Sequence, residues 1–96
     1  MQQFVTPATS FHDLYEFANA KIEQAGYENL DALGNLGHSI TTSLDAREYI
    51  EQSNRLLLGN VPFFTFEPHI RARNGRWGFK HEDIYYFDPA GQLQKL

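Results

Sequence analysis

The dipeptide Asn74-Gly75 limits the fold of this chain more than any other feature. Both residue types accept positive φ, which a tight hairpin turn requires. The runs on either side, Pro62 to Ile70 and Trp77 to Phe87, are rich in aromatic and β-branched residues and read as two strands. A hairpin closed at this turn fixes which residues face each other. Glu67 and Glu82 each lie seven positions out (74 − 67 and 82 − 75) and are expected opposite one another. Directly paired residues have Cβ atoms ~4.5–5.5 Å apart on one sheet face.

A helix precedes the hairpin. Ser10-Phe11-His12-Asp13 has the pattern of a capped helix start. Phe11, Leu14, Tyr15, Ala18, Ile22 and Ala25 then recur at helical spacing. Gly26 supplies a stop, so the spacing predicts a helix over 10–25. Residues 27–36 read as a loop or a short helical turn. Ser39 to Leu44 favours a strand, Arg47 to Glu51 a short strand or loop, and Gly59-Asn60 a turn. Asp88-Pro89-Ala90-Gly91 ends the return strand, and Leu93 to Leu96 can add an edge strand. One helix followed by antiparallel strands is an α+β plan, and residues 1–96 form one domain.

Composition narrows the partners. The chain has 96 residues, no cysteine, 42% hydrophobic residues and a net charge of -4. That apolar content argues for a folded core and against disorder. The mild acidity argues against nucleic acid, whose phosphates need clustered Lys and Arg. Arg71, Arg73, Arg76 and Lys80 form a local basic group, read as a solvated hairpin. No apolar run approaches the ~20 residues that cross a bilayer. There is no signal-peptide pattern and no cysteine for disulfides. The expected setting is soluble and cytoplasmic, without a membrane partner.

The two glutamates carry the chemistry. Like charges directly opposite destabilise a sheet unless a cation sits between them or one is protonated. Phe64, Phe66, Ile84, Tyr86 and Phe87 are expected around them, and burying a lone carboxylate among such residues is costly. The plainer alternative is that Glu67 and Glu82 pair with Arg71, Arg73 or Lys80, or face solvent. His38, after Gly37, is either a hydrogen-bonded histidine or a third donor. A His-Glu-Glu set suits Zn, Mn, Fe or Co. His69 shares the Glu67 face by alternation and is a candidate supporting group or substrate contact. His81 is expected to point away from Glu82, and His12 to face solvent. No cysteine nucleophile, Gly-x-Ser-x-Gly elbow or phosphate loop is present.

Three segments in order carry a resemblance: Gly37-His38-Ser39-Ile40, then Phe64-Thr65-Phe66-Glu67-Pro68-His69-Ile70, then Lys80-His81-Glu82-Asp83-Ile84-Tyr85-Tyr86-Phe87. Together with Ala25-Gly26-Tyr27 they resemble the C-terminal part of the pita-bread metallopeptidases: methionine aminopeptidases, Xaa-Pro peptidases and the creatinase group. The resemblance implies a helix packed on a curved antiparallel sheet, about half of that fold. It implies His38, Glu67 and Glu82 as metal ligands, with Glu82 bridging two metals, and a peptide substrate.

Two departures bear on activity. The family's two aspartate ligands lie upstream of such a helix, and the nine residues before this one contain no Asp. The family's second histidine has no counterpart in Thr41-Thr42-Ser43-Leu44-Asp45-Ala46-Arg47. The resulting expectation is a truncated metal-dependent aminopeptidase-like hydrolase, inactive or nearly so alone, whose metal can be lacking in this form. A second copy is expected to cover what the missing half would cover, giving a homodimer. The alternatives are a non-catalytic pita-bread-like module that binds peptide or protein, and a small protein that holds a metal through His-Glu-Glu alone.

Overall fold

The computed structural model describes residues 4–30, 35–40 and 47–96. The one α-helix among these residues, α1 (Phe11–Gln24), begins where the capping pattern places it. Ser10 is extended, and its side chain accepts from the Asp13 N–H. The end follows from Gly26, whose φ of 84° takes the chain out of the helix. Phe11, Leu14 and Ala18 form the buried stripe.

Among the described residues, six short strands follow α1. They are β1 (Tyr27–Asn29), β2 (Phe64–Phe66), β3 (His69–Ala72), β4 (Gly78–Lys80), β5 (Asp83–Phe87) and β6 (Leu93–Lys95). They make two three-stranded antiparallel sheets, in the orders β1-β3-β4 and β2-β5-β6. The fold is therefore α+β. Among the described residues, no helix is long and apolar enough to cross a membrane.

The expected hairpin is present in the expected register, but it is broken midway. Phe64 pairs with Tyr85 and Phe66 with Asp83 in one sheet. His69 pairs with Lys80 and Arg71 with Gly78 in the other, along the same register. The expected single strands 62–70 and 77–87 are thus two strands each. Pro68 has no N–H to give to a ladder, so pairing lapses there. The Glu67 N–H goes to the Leu36 carbonyl at 2.8 Å instead. The turn is also wider than a two-residue loop. Gly75 donates to the Ala72 carbonyl at 2.7 Å, Asn74 takes φ 63°, and ladder pairing starts only at Arg71 and Gly78.

Residues 27–29, expected in a loop, form β1 and pair with β3. A loop reading missed them because three residues carry too little pattern. Gly59-Asn60 falls in a 3₁₀ turn, Leu58–Asn60. The expected strand 39–44 is described only as far as Ile40. The expected element 47–51 contributes one bridge, Tyr49 to His38.

The core joins helix and sheet. Phe11, Leu14, Leu36, Ile50, Leu58 and Phe64 are fully buried, with Tyr85 and Leu93 closing its edge. The Phe64 ring stacks on Tyr85, centroids 5.8 Å apart. The start of α1 is tied to the segment before the 3₁₀ turn, where Leu56 accepts from Phe11 and Asn54 from His12. His12 is half-buried against the Gln52 carbonyl rather than facing solvent, because that segment passes its side of the helix.

Candidate metal centre

Three neighbouring backbone segments bring the donors to one face. Residues 36–40 run antiparallel to β2: Thr65 donates to His38 O at 2.7 Å, and Ile40 to Phe63 O at 3.0 Å. Ser39 bridges Phe64 within this pairing. On the other side β2 pairs with β5. Alternation along β2 puts Thr65 and Glu67 on one face and Phe64 and Phe66 on the other. His38, opposite Thr65, shares the Glu67 face. Glu82, one step before β5, continues the register to a position opposite Glu67.

Phe64 and Phe66 therefore do not surround the glutamates, contrary to the sequence reading. The same alternation that aligns Glu67 with Glu82 turns these rings to the core face, where α1 lies.

Gly37 makes the close approach feasible. A Cβ there would stand 2.2 Å from the Thr65 carbonyl oxygen, and φ is 151°. Only glycine fits such a position. Thr65 is buried and accepts from the His38 N–H at 3.0 Å, which fixes the backbone that carries the imidazole.

One donor atom of each of His38, Glu67 and Glu82 lies within 4.8 Å of the others. His38 Nδ1 donates to the Ser39 carbonyl at 2.8 Å. A carbonyl can only accept, so Nδ1 carries a proton, and Nε2 is the ring atom on the side of the cluster. Nε2 stands 3.7 Å from Glu67 Oε2, beyond hydrogen-bond range. That oxygen is buried and has no hydrogen-bond partner. The other carboxylate oxygen, Oε1, meets Lys80 Nζ at 3.2 Å. Of the ion pairs weighed from sequence, the Lys80 pair exists alongside the cluster, while Arg71 binds Glu28 instead.

The electrostatics follow from crowding. Burial pushes the Glu67 carboxyl up, but proton sharing with Glu82, the Thr65 and Lys80 contacts and the Lys80 charge bring it below its ordinary value. Glu82 is held above its ordinary value by proton sharing with Glu67 and by the Glu67 charge, with burial adding and Lys80 and His38 opposing.

The residues fit a divalent ion. Nitrogen and carboxylate donors bind at ~2.0–2.2 Å, so ligands of one ion stand ~3–4 Å apart. The His38–Glu67 gap of 3.7 Å is already in that range. The wider 4.8 Å limit asks for a small movement, and Glu82 is exposed.

The other histidines divide. His69 is exposed and lines a cavity of about 210 Å³ with His38 and Glu67, outside the three-donor group. His81 is exposed and meets Asp83 at 3.3 Å. Sequence reasoning missed Arg47 and Tyr49, which reach the same cavity. Their only signal was an ambiguous run between the segments that carry the donors.

Fold and site together define a small α+β domain with a His-Glu-Glu donor cluster on one sheet face. No family model, no curated protein and no solved structure matches the chain.

Proposed function

We propose that this chain carries a metal half-site of the pita-bread aminopeptidase type. His38, Glu67 and Glu82 hold one divalent ion, Mn, Co, Zn or Fe, on the face of what is about half of that fold. The observation that carries the reading is the approach of His38 Nε2 to within 3.7 Å of Glu67 Oε2, a buried oxygen with no hydrogen-bond partner. A buried carboxylate oxygen without a hydrogen-bond partner, 3.7 Å from an imidazole nitrogen, is matched by a cation held between the two.

A bound metal of this kind polarises a carbonyl and lowers the pKa of water for attack on a peptide bond. This chain's own residues do the positioning. Ser39 O fixes the imidazole tautomer, Thr65 fixes the His38 backbone, and Lys80 orients Glu67. The resemblance places two aspartates and a second histidine in the full centre, and this sequence has no match for them. The isolated chain is therefore proposed to bind metal and to turn over little or no peptide. The reading goes with a cytoplasmic protein and a homodimer.

The test combines three measurements on the purified chain: metal content after reconstitution, release from Xaa-Pro and Met-Xaa peptides, and sedimentation at micromolar concentration. One ion per chain, negligible turnover and a dimer are expected. Efficient turnover would refute the inactive half-site, and a clean monomer would refute the dimer.

A further inference from the structure

We propose that the cavity beside His38 and Glu67 is a binding site for a small oxyanion, a carboxylate or a phosphate, that works together with the metal. This rests on the metal reading above. The cavity, of about 210 Å³, includes Arg47 and Lys80 along its wall, with His69 and Tyr49. Arg47 is half-buried and has no carboxylate partner among the described residues. A guanidinium on a cavity wall is matched by a planar oxyanion, which it can grip with two N–H groups. Lys80 adds a second cation, held in place at 3.2 Å from Glu67 Oε1.

The opposing charge is the Glu67 carboxylate on the cavity wall, with Glu82 close behind it. In the metal-free chain these carboxylates repel an anion. A divalent ion on the Glu67 Oε2 side reverses that balance while leaving Lys80 on Oε1. The pocket then offers Arg47, Lys80 and the ion to a single ligand. The two sites are therefore coupled, and the coupling is reciprocal: each ligand tightens the other by the same factor.

The experiment is calorimetric titration of acetate and, separately, inorganic phosphate into the full chain, stripped of metal and loaded with one equivalent of Mn. The expected result is at least about 10-fold tighter anion binding to the loaded chain. Arg47→Ala and Lys80→Met should each remove most of that gain. Arg47→Ala should still bind metal, which also reports that it is folded. Tighter acetate assigns the site to carboxylates and tighter phosphate to phosphoryl groups, and either supports the proposal. Metal binding with unchanged anion affinity, or a gain untouched in both variants, would overturn the oxyanion site alone. Failure of the wild-type chain to bind Mn would overturn the metal reading and this coupling with it.

Discussion

His38 Nε2 stands 3.7 Å from Glu67 Oε2, and no hydrogen bond joins them. Backbone pairing between residues 36–40 and β2 brings the two side chains to the same face of adjacent segments. Each acceptor is also tied from behind, His38 by Ser39 O and Glu67 by Lys80.

Gly37 is the residue that permits this pairing. Gly37→Ala would drive a methyl into the Thr65 carbonyl, in a φ region that side chains avoid. A loss of ~2 kcal/mol or more of stability is expected, together with weakened metal binding. Urea unfolding of the variant checks the first and metal titration the second. Wild-type values for both would show that the close approach is dispensable.

Thr65 ties the imidazole backbone to β2. In Thr65→Val the His38 N–H loses its acceptor in a buried setting. The expected cost is ~1–3 kcal/mol, since an unsatisfied buried donor keeps its full desolvation penalty. Thermal unfolding measures it, and no loss would mean that another acceptor takes the bond.

Phe64 lies on the opposite face, in the core between α1 and β5. Phe64→Ala should cost ~3–5 kcal/mol through lost burial and the cavity left behind. A shift below ~1 kcal/mol in a denaturation midpoint would contradict its place at the centre of the core.

Asp88 gives a pH signature away from the candidate site. The Gln92 N–H, the Gln94 amide and the Ala90 N–H hold its carboxyl below the ordinary value, with burial opposing them. The folded state thus prefers the charged form. The stabilisation is present above the unfolded pKa of ~3.9 and is lost as pH falls through the lower folded value. Asp88→Asn should flatten the fall in stability below about pH 4. Unfolding midpoints measured from pH 5 to pH 2.5 would show it, and parallel curves for both proteins would count against it.

The register of the long hairpin was legible in the sequence, because Asn74-Gly75 anchors a count that the structure keeps at Phe64–Tyr85 and at His69–Lys80. So was α1, whose cap and apolar spacing are local signals. The break at Pro68 was also written there, as a proline in the middle of a strand pattern, but aromatic alternation outweighed it. Which face Phe64 took followed from alternation alone and was misjudged by grouping neighbours along the chain. β1 was beyond reach because three residues gain their strand character only from β3. The approach of His38 to Glu67 depends on pairing between segments 27 residues apart (65 − 38), a tertiary fact that spacing does not reveal. Arg47 and Tyr49 entered the cavity wall for the same reason.

Metal stoichiometry in solution decides whether His38, Glu67 and Glu82 hold an ion. The chain is stripped with chelator and titrated with Mn, Co and Zn by calorimetry, alongside Glu67→Ala. About one ion per wild-type chain is expected, and at least ~100-fold weaker binding in the variant, beyond the loss typical of supporting residues. No binding by the wild-type chain, or equal binding by both proteins, would contradict it.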